Sequence, residues 1–131
     1  MTDVITYATF CPGQLIGRTE DVVTAQLLDL WRKIYPVDAT PAGEVPLAIS
    51  GAIAMRAYLR VVVPRPPGNI HARHQMQVHD VPRLGECIAT EVSCMHKEMR
   101  RDRRYVELET RSRGADNRDL FTARMTMIWS A

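Results

Sequence analysis

Apolar residues are most concentrated in residues 47–63, a run bounded by Pro46 and Pro64 that carries no charge until Arg56. At helical spacing its apolar positions fall in adjacent rows that cover most of the circumference, which is typical of a helix buried on most of its sides. A stretch of roughly 17 residues with two arginines is borderline for a membrane span. The pattern therefore favours one long central helix enclosed by a sheet.

Four later segments alternate apolar and polar residues with the period of two that is typical of β-strands. The predicted strands are 68–78, 86–95, 104–113 and 120–129. Turn residues separate them, and a charged turn, H-K-E-M-R-R-D-R-R, joins the second to the third. Strands joined by short turns after a long helix predict an α+β fold in which a curved antiparallel sheet wraps the helix. Such a sheet leaves edges and outer apolar surface, so at least a dimer is expected.

The N-terminal third of the chain carries weaker patterns. Residues 2–10 predict a short edge strand, and residues 22–34 predict an amphipathic helix that begins after Thr19-Glu20-Asp21 and ends at Pro36. Residues 37–45 predict a loop that leads directly into the central helix. Any side chain on this loop is therefore expected to lie against the N-terminus of that helix.

Composition narrows the functional classes. A chain of 131 residues predicts one domain, residues 1–131. The net charge of +2 is too slight to indicate a nucleic-acid partner. Cys11, Cys87 and Cys94 show no C-x-x-C pair and no metal-ligand spacing, and no apolar leader begins the chain. These features predict a cytoplasmic protein with reduced thiols, no metal, no cofactor and no membrane partner.

Three motifs, taken in order, resemble a known family. They are P-G-Q-L-I-G-R followed by V-V-T-A-Q-L-L-D-L-W, then I-S-G-A at the start of the central helix, then the turn D-V-P-R-L-G-E. Together they resemble the MaoC-like hotdog proteins, which include (R)-specific enoyl-CoA hydratases and 3-hydroxyacyl dehydratases. The resemblance covers nearly the whole chain through pattern and order. It implies a hotdog fold, an acyl thioester of coenzyme A or acyl carrier protein as ligand, and a homodimer or larger oligomer.

The family's catalytic stretch is D-x-N-P-x-H, whose Asp and His hold the water that is added to or removed from a double bond. The corresponding stretch here is D-A-T-P-A-G, in which Asp38 and Pro41 match, Thr40 replaces Asn and Gly43 stands in the place of His. The resemblance implies that Asp38 is the surviving acid or base, and Glu44 offers a substitute carboxylate. The structural alternative is that Asp38 caps a turn and Glu44 is solvated.

The histidines need a similar comparison. On a regular strand His71 and His74 lie on opposite faces, which prevents them from sharing a metal ion. His74 shares the apolar face and is either a core histidine or the replacement for the missing catalytic one. No cysteine has a clear His or acid partner, so a Cys nucleophile is not expected.

The resemblance also implies substrate-binding groups. The amide of Gly51, with Ala52 behind it, would polarise a thioester carbonyl at the positive end of the helix dipole. The structural alternative is that Gly51 makes room for a crossing strand. Arg100 and Arg101 lie in the charged turn, where they are either solvated or in contact with the phosphates of coenzyme A.

Three functions remain open from the sequence. The first is an enoyl-thioester hydratase or dehydratase whose active site is atypical or degenerate. The second is a hotdog thioesterase in which Glu44 or Asp38 activates water. The third is a non-catalytic subunit that completes a heteromeric dehydratase, in which another chain supplies the Asp/His pair.

Overall fold

The central helix predicted from the apolar run is present in the computed structural model, which describes residues 3–38, 40–41 and 44–131. The helices are α1 (Ala25–Ile34) and α2 (Ile49–Val61), and the strands are β1 (Leu15–Val22), β2 (Ile70–Val78), β3 (Cys87–Arg100), β4 (Arg103–Arg113) and β5 (Asp119–Trp129). The strands form one antiparallel sheet in the order β1-β3-β4-β5-β2. Short 3₁₀ helices span Tyr7–Thr9, Pro36–Asp38 and Ala115–Asn117.

The core lies between α2 and the inner face of the sheet. The row Ile49, Ile53 and Ala57 on α2 is buried, as the helical spacing predicted. On the facing strands the buried positions recur at every second residue, as in Val106, Leu108 and Thr110 of β4. The α+β fold with one central helix wrapped by a curved antiparallel sheet is confirmed, as are the four strands after the helix.

The N-terminal predictions need two corrections. Thr19, Glu20 and Asp21, predicted as the start of a helix, belong instead to β1 (Leu15–Val22), an edge strand paired with β3. The helix begins later, at Ala25, because the Thr24 hydroxyl accepts a hydrogen bond from the Leu27 N–H at 3.1 Å and caps it. The predicted edge strand at 2–10 is absent from its described part, which is irregular except for the 3₁₀ helix Tyr7–Thr9.

The charged turn is shorter than predicted. Strand β3 continues to Arg100, and only Arg101 and Asp102 turn the chain, both with positive φ, before β4 begins at Arg103. This is the two-residue hairpin geometry in which both central residues have φ above zero. The charged side chains of residues 96–100 therefore lie on a strand, because polar residues on the solvent-facing side of a sheet do not end it.

Candidate active site

A β-bulge in β2 brings two histidines to the same face of the sheet. The pairing with β5 shifts between His71, opposite Met127, and Arg73, so that Ala72 is the extra residue. After the bulge His74 pairs with Met125, and the side chains of Met125 and Met127 both point into the core. His71 and His74 therefore share the inner face, and His74 Nδ1 lies 3.3 Å from His71 Nε2. The prediction that they lie on opposite faces is wrong because a regular strand was assumed.

Helix α2 and strand β2 approach each other at two points, and the space between these points is here called the α2–β2 groove. Near its first end, a Cβ added to Gly51 would lie 3.9 Å from Met76 Sδ. Near its second end, Met55 and Tyr58 of α2 line a cavity with His71. His74 lies between Met76 and His71 on β2, so its ring faces the middle of the groove. Of the predicted site residues, His74 therefore lies on the side of the sheet that faces α2, the helix that carries Gly51 and Ala52.

The environment of His74 keeps its ring neutral. Partial burial lowers the pKa of His74 below its ordinary value, and the charge of a protonated His71 lowers it further. A neutral imidazole can accept a proton at pH 7, as a general base must. His74 is exposed in the single chain, so water and a ligand can both reach it.

The first turn of α2 uses its own amides differently from the prediction. The N–H groups of Ile49, Ser50 and Gly51 donate to carbonyls three residues earlier, Gly51 to Ala48 at 3.1 Å. Within the described part of the chain, the N–H groups of Leu47 and Ala48 have no backbone acceptor, and both residues are exposed. The donors that this helix end offers to a carbonyl oxygen are therefore those of Leu47 and Ala48.

Gly51 is not required by packing within the chain. The distance of 3.9 Å from its added Cβ to Met76 Sδ is an ordinary van der Waals contact. An alanine would therefore fit without displacing a neighbour. This removes the structural alternative in which Gly51 makes room for a crossing strand of the same chain.

Asp38 has a structural partner. The Trp31 indole Nε1–H donates to Asp38 Oδ2 at 3.1 Å, which ties the 3₁₀ helix Pro36–Asp38 back to α1. Arg32 also donates from Nη2 to the Thr40 carbonyl at 3.3 Å. The hydrogen bond from Trp31 agrees with the alternative interpretation of Asp38, in which this residue stabilises a turn. Gly43, the position of the missing histidine, lies outside the described residues.

Glu44 lies outside the α2–β2 groove. It is exposed and lines a cavity of about 310 Å³ with Asp80, Arg83 and Arg118, where the β2–β3 loop meets β5. Its backbone carbonyl accepts a hydrogen bond from the Thr40 hydroxyl at 2.7 Å. A carboxylate here can activate water only for a ligand that extends beyond the start of α2.

The two arginines lie at the opposite end of the sheet. The Arg100 guanidinium carbon stands 4.4 Å from the Tyr105 ring centroid, and Arg101 occupies the turn that follows. Along β5, Ala123 pairs with Met76 and Trp129 pairs with Arg104, and these β5 residues are about 20 Å apart at the rise of a strand. Within one chain, Arg100 and Arg101 are therefore remote from Gly51.

The sequence did not reveal the cavity of about 280 Å³ at the second end of the groove. Tyr58, Arg65, Asn69 and His71 line it together with apolar side chains. Arg65 and Asn69 come from the segment P-R-P-P-G-N, of which the sequence predicted only that a strand begins at residue 68. The available signal was one cation between prolines and one amide shortly after them, directly after a buried helix.

Two further features complete the description. Within the described residues no group of three or more His, Cys, Asp or Glu side chains is arranged to hold a metal ion. Across the same residues, each helix is too short or too polar to cross a bilayer.

No protein-family model matches the sequence, and no curated protein matches it at a significant level. Solved structures do resemble the chain. The unliganded (R)-hydratase PhaJ1 from Pseudomonas aeruginosa superposes with a TM-score of 0.75 at 16% identity, covering 96% of this chain and 86% of that one. A MaoC-like dehydratase from Rhodospirillum rubrum also gives 0.75 at 13% identity, with 97% and 98% covered. A thioesterase from Thermus thermophilus, complexed with coenzyme A and Zn, gives 0.66 at 14% identity, with 90% and 86% covered. These similarities confirm the hotdog fold, shared with MaoC-like dehydratases and (R)-hydratases.

Proposed function

We propose that this hotdog protein binds an acyl thioester of coenzyme A or acyl carrier protein in the α2–β2 groove, and that it has hydratase or dehydratase chemistry with His74 as the base. The observation that carries the proposal is the position of His74 on the inner face of β2, between His71 and the Met76 that approaches Gly51, with a lowered pKa that favours the neutral imidazole. The fold is shared with (R)-hydratases and with a thioesterase that was crystallised with coenzyme A.

The proposed chemistry assigns separate roles to the helix and the strand. The exposed N–H groups of Leu47 and Ala48 would donate to the thioester oxygen and stabilise the negative charge that develops on it. His74 would take a proton from water as the water oxygen bonds to the β-carbon, and the protonated His74 would then give that proton to the α-carbon, which restores the neutral imidazole. Dehydration is the reverse. Gly43 stands where the family has its catalytic His, so the complete Asp/His pair is missing. Turnover of crotonyl-CoA should therefore be slower than in an enzyme with both residues, by up to a factor of about 10²–10⁴.

A second copy of the chain would complete the groove. Strand β2 lies at the edge of the sheet, with one side of its backbone free to pair. Apolar side chains are also exposed on the helices: Leu59 of α2 is 44% exposed, and on α1 both Leu30 and Ile34 are more than half exposed. Dimerisation would cover such apolar surface. A mass measurement in solution that gives a monomer at micromolar concentration would contradict this part of the proposal.

The alternative of a non-catalytic subunit has its own supporting observation. Asp38, the residue that matches the family's catalytic carboxylate, is engaged by the Trp31 indole at 3.1 Å. A chain without a free Asp/His pair could still supply helix and sheet to a partner that carries the pair. This alternative predicts thioester binding without turnover by the isolated protein.

One experiment separates these functions. The purified protein is incubated with crotonyl-CoA, longer enoyl-CoAs and saturated acyl-CoAs, and the products are identified by mass. Gain of one water supports the hydratase, release of free coenzyme A supports the thioesterase with Glu44, and binding alone supports the partner subunit. His74→Gln should abolish hydration, whereas His96→Gln, on the outer face of β3 opposite Glu107, is the matched control and should leave it unchanged. Normal hydration by His74→Gln would refute the assignment of the base.

A further inference from the structure

The cavity at the second end of the α2–β2 groove has both polar and apolar walls. It is bounded by Tyr58 from α2, by Arg65 and Asn69 from the α2–β2 connection, and by His71 from β2, with Met55 and Met127 as its main apolar walls. Its volume is about 280 Å³. Along the helix axis Tyr58 is about 10 Å from Gly51. A ligand whose reacting end lies at the start of α2 therefore reaches this cavity with the far end of its acyl chain.

Asn69 lines the cavity and has a hydrogen-bond donor without a partner among the described residues. The Ser130 N–H donates to Asn69 Oδ1 at 2.8 Å, which fixes the orientation of the amide. Nδ2 is then the donor end, and it is buried with no acceptor among the residues that the structure describes. Buried polar groups are normally paired, so an orphaned donor that borders a cavity indicates an acceptor supplied from outside.

Arg65 offers the same cavity a fixed positive charge. Its Nη1 donates to the carbonyls of Leu59 and Val62 at 2.9 and 2.8 Å and so satisfies the C-terminal end of α2. No described carboxylate lies within ion-pair distance of Arg65, and the remaining guanidinium donors are not engaged by described residues. The guanidinium carbon lies 5.5 Å from the Tyr58 ring centroid. Burial raises the pKa of Tyr58, although Arg65 opposes the shift, so the phenol keeps its proton as a further donor.

We infer that this cavity binds the terminal carboxylate of the acyl group, so that the preferred ligands are thioesters of dicarboxylic acids. The inference rests on the proposed binding of an acyl thioester in the α2–β2 groove. An amide donor, a guanidinium and a phenol around one small volume form the donor set that a carboxylate accepts. The terminal methyl group of an ordinary fatty acyl chain would leave the Asn69 donor unpaired.

The test compares matched pairs of saturated thioesters by titration calorimetry: hexanedioyl-CoA against hexanoyl-CoA, and octanedioyl-CoA against octanoyl-CoA. The dicarboxylic member of at least one pair should bind about tenfold or more tightly, as expected for hydrogen bonds to a charged group. Equal affinities within both pairs would overturn the inference and leave the proposed function intact. If none of the thioesters binds, the proposed function and the inference are both overturned.

Two variants locate the preference in the cavity. Asn69→Asp keeps the acceptor for the Ser130 N–H but replaces the donor with a negative charge, and Arg65→Gln removes the positive charge. Each should abolish the preference for the dicarboxylic thioester while binding of the monocarboxylic one is retained. Gln75→Glu adds the same negative charge on the outer face of β2, opposite Arg124, and should leave the preference unchanged. A preference that survives in both cavity variants would overturn the inference.

Discussion

Replacing Glu86 with Gln should destabilise the fold more than any other neutralisation of a single carboxylate among the described ion pairs. The Glu86 side chain is only 4% exposed. Its Oε1 accepts hydrogen bonds from the Arg83 N–H at 2.8 Å and from Arg118 Nη2 at 2.9 Å, and its Oε2 accepts one from the Ala115 N–H at 2.7 Å. The carboxylate thus joins the β2–β3 loop to the turn before β5.

The size of the effect follows from the donors. A glutamine has one acceptor oxygen, so its NH₂ group must face either the Ala115 N–H or the pair of donors from Arg83 and Arg118. At least one hydrogen bond to a charged group is lost, and the glutamine NH₂ group faces at least one donor from which it cannot accept a hydrogen bond. Together these terms cost about 3 kcal/mol, within the range for breaking a buried ion pair by removing one partner.

The effect should depend on pH. Burial acts to raise the pKa of Glu86, but the two backbone N–H groups and Arg118 outweigh it and hold the pKa below its ordinary value. Because the folded pKa is the lower one, the carboxylate stabilises the native state above the unfolded pKa. This contribution is lost as the pH falls through the folded pKa. The difference between wild type and Glu86→Gln should therefore be full at pH 7 and shrink below about pH 4.

Urea unfolding followed by tryptophan fluorescence measures this difference, at one fixed protein concentration because an oligomer's stability depends on it. Glu20→Gln is the control, since Glu20 is 64% exposed and its nearest cation, Arg18, is 3.8 Å away. The control should change the free energy of unfolding by less than about 0.5 kcal/mol. A loss in Glu86→Gln no larger than in the control, or a loss that persists unchanged down to pH 3, would refute the reasoning.

Three other substitutions test packing and the site. Gly17→Ala places a Cβ 2.8 Å from Val61 Cγ1 and should lower the free energy of unfolding in denaturant by about 1–3 kcal/mol. Adding Val61→Ala should recover much of this loss. An unchanged free energy of unfolding in Gly17→Ala would show that β1 does not contact α2 so closely. Gly51→Ala should raise the free energy of unfolding by about 0.5–1 kcal/mol because alanine is the better helix former, and it should weaken acyl-thioester binding because the methyl group narrows the groove. Unchanged affinity would place the ligand elsewhere. Asp38→Asn keeps an acceptor for the Trp31 indole and should leave any hydratase activity within about a factor of two, whereas a drop of two orders of magnitude or more would make Asp38 the catalytic residue.

The fold was predictable where a segment's apolar pattern matched the environment it occupies in one chain. Helix α2 and strands β2 to β5 have clear periods, and their observed bounds agree with the prediction within a few residues, except that β3 runs on to Arg100. The second half of strand β1 was missed because Thr19, Glu20 and Asp21 look like a helix cap. Their burial alternates only because one side of this edge strand is covered by the rest of the molecule.

The candidate site was predictable only in part, because two of its features depend on backbone geometry that composition does not report. The extra residue Ala72 rotates His71 onto the same face as His74, and no glycine or proline within the strand marks that bulge. In the first turn of α2 the Gly51 N–H is engaged in a 3₁₀ hydrogen bond, and among the described residues the free N–H groups are those of Leu47 and Ala48. The sequence therefore identified candidate residues of the site, but it did not predict which of their atoms would face a ligand.

The apolar row along α2 links the sequence to the proposed assembly. The pattern predicted a helix buried on most sides, yet one side of α2 remains uncovered in the single chain: Ala48 and Leu59 are exposed, and Ala52 and Met55 are only half-buried. A helix that was required only to pack on its own sheet would carry polar residues along this row. The row lies next to the groove and to the unpaired edge of β2. The sequence predicts that this row of α2 is buried, and a single chain leaves it uncovered. A second copy placed over the α2–β2 groove would bury it. We therefore expect the ligand to be enclosed between two chains rather than held on the surface of one.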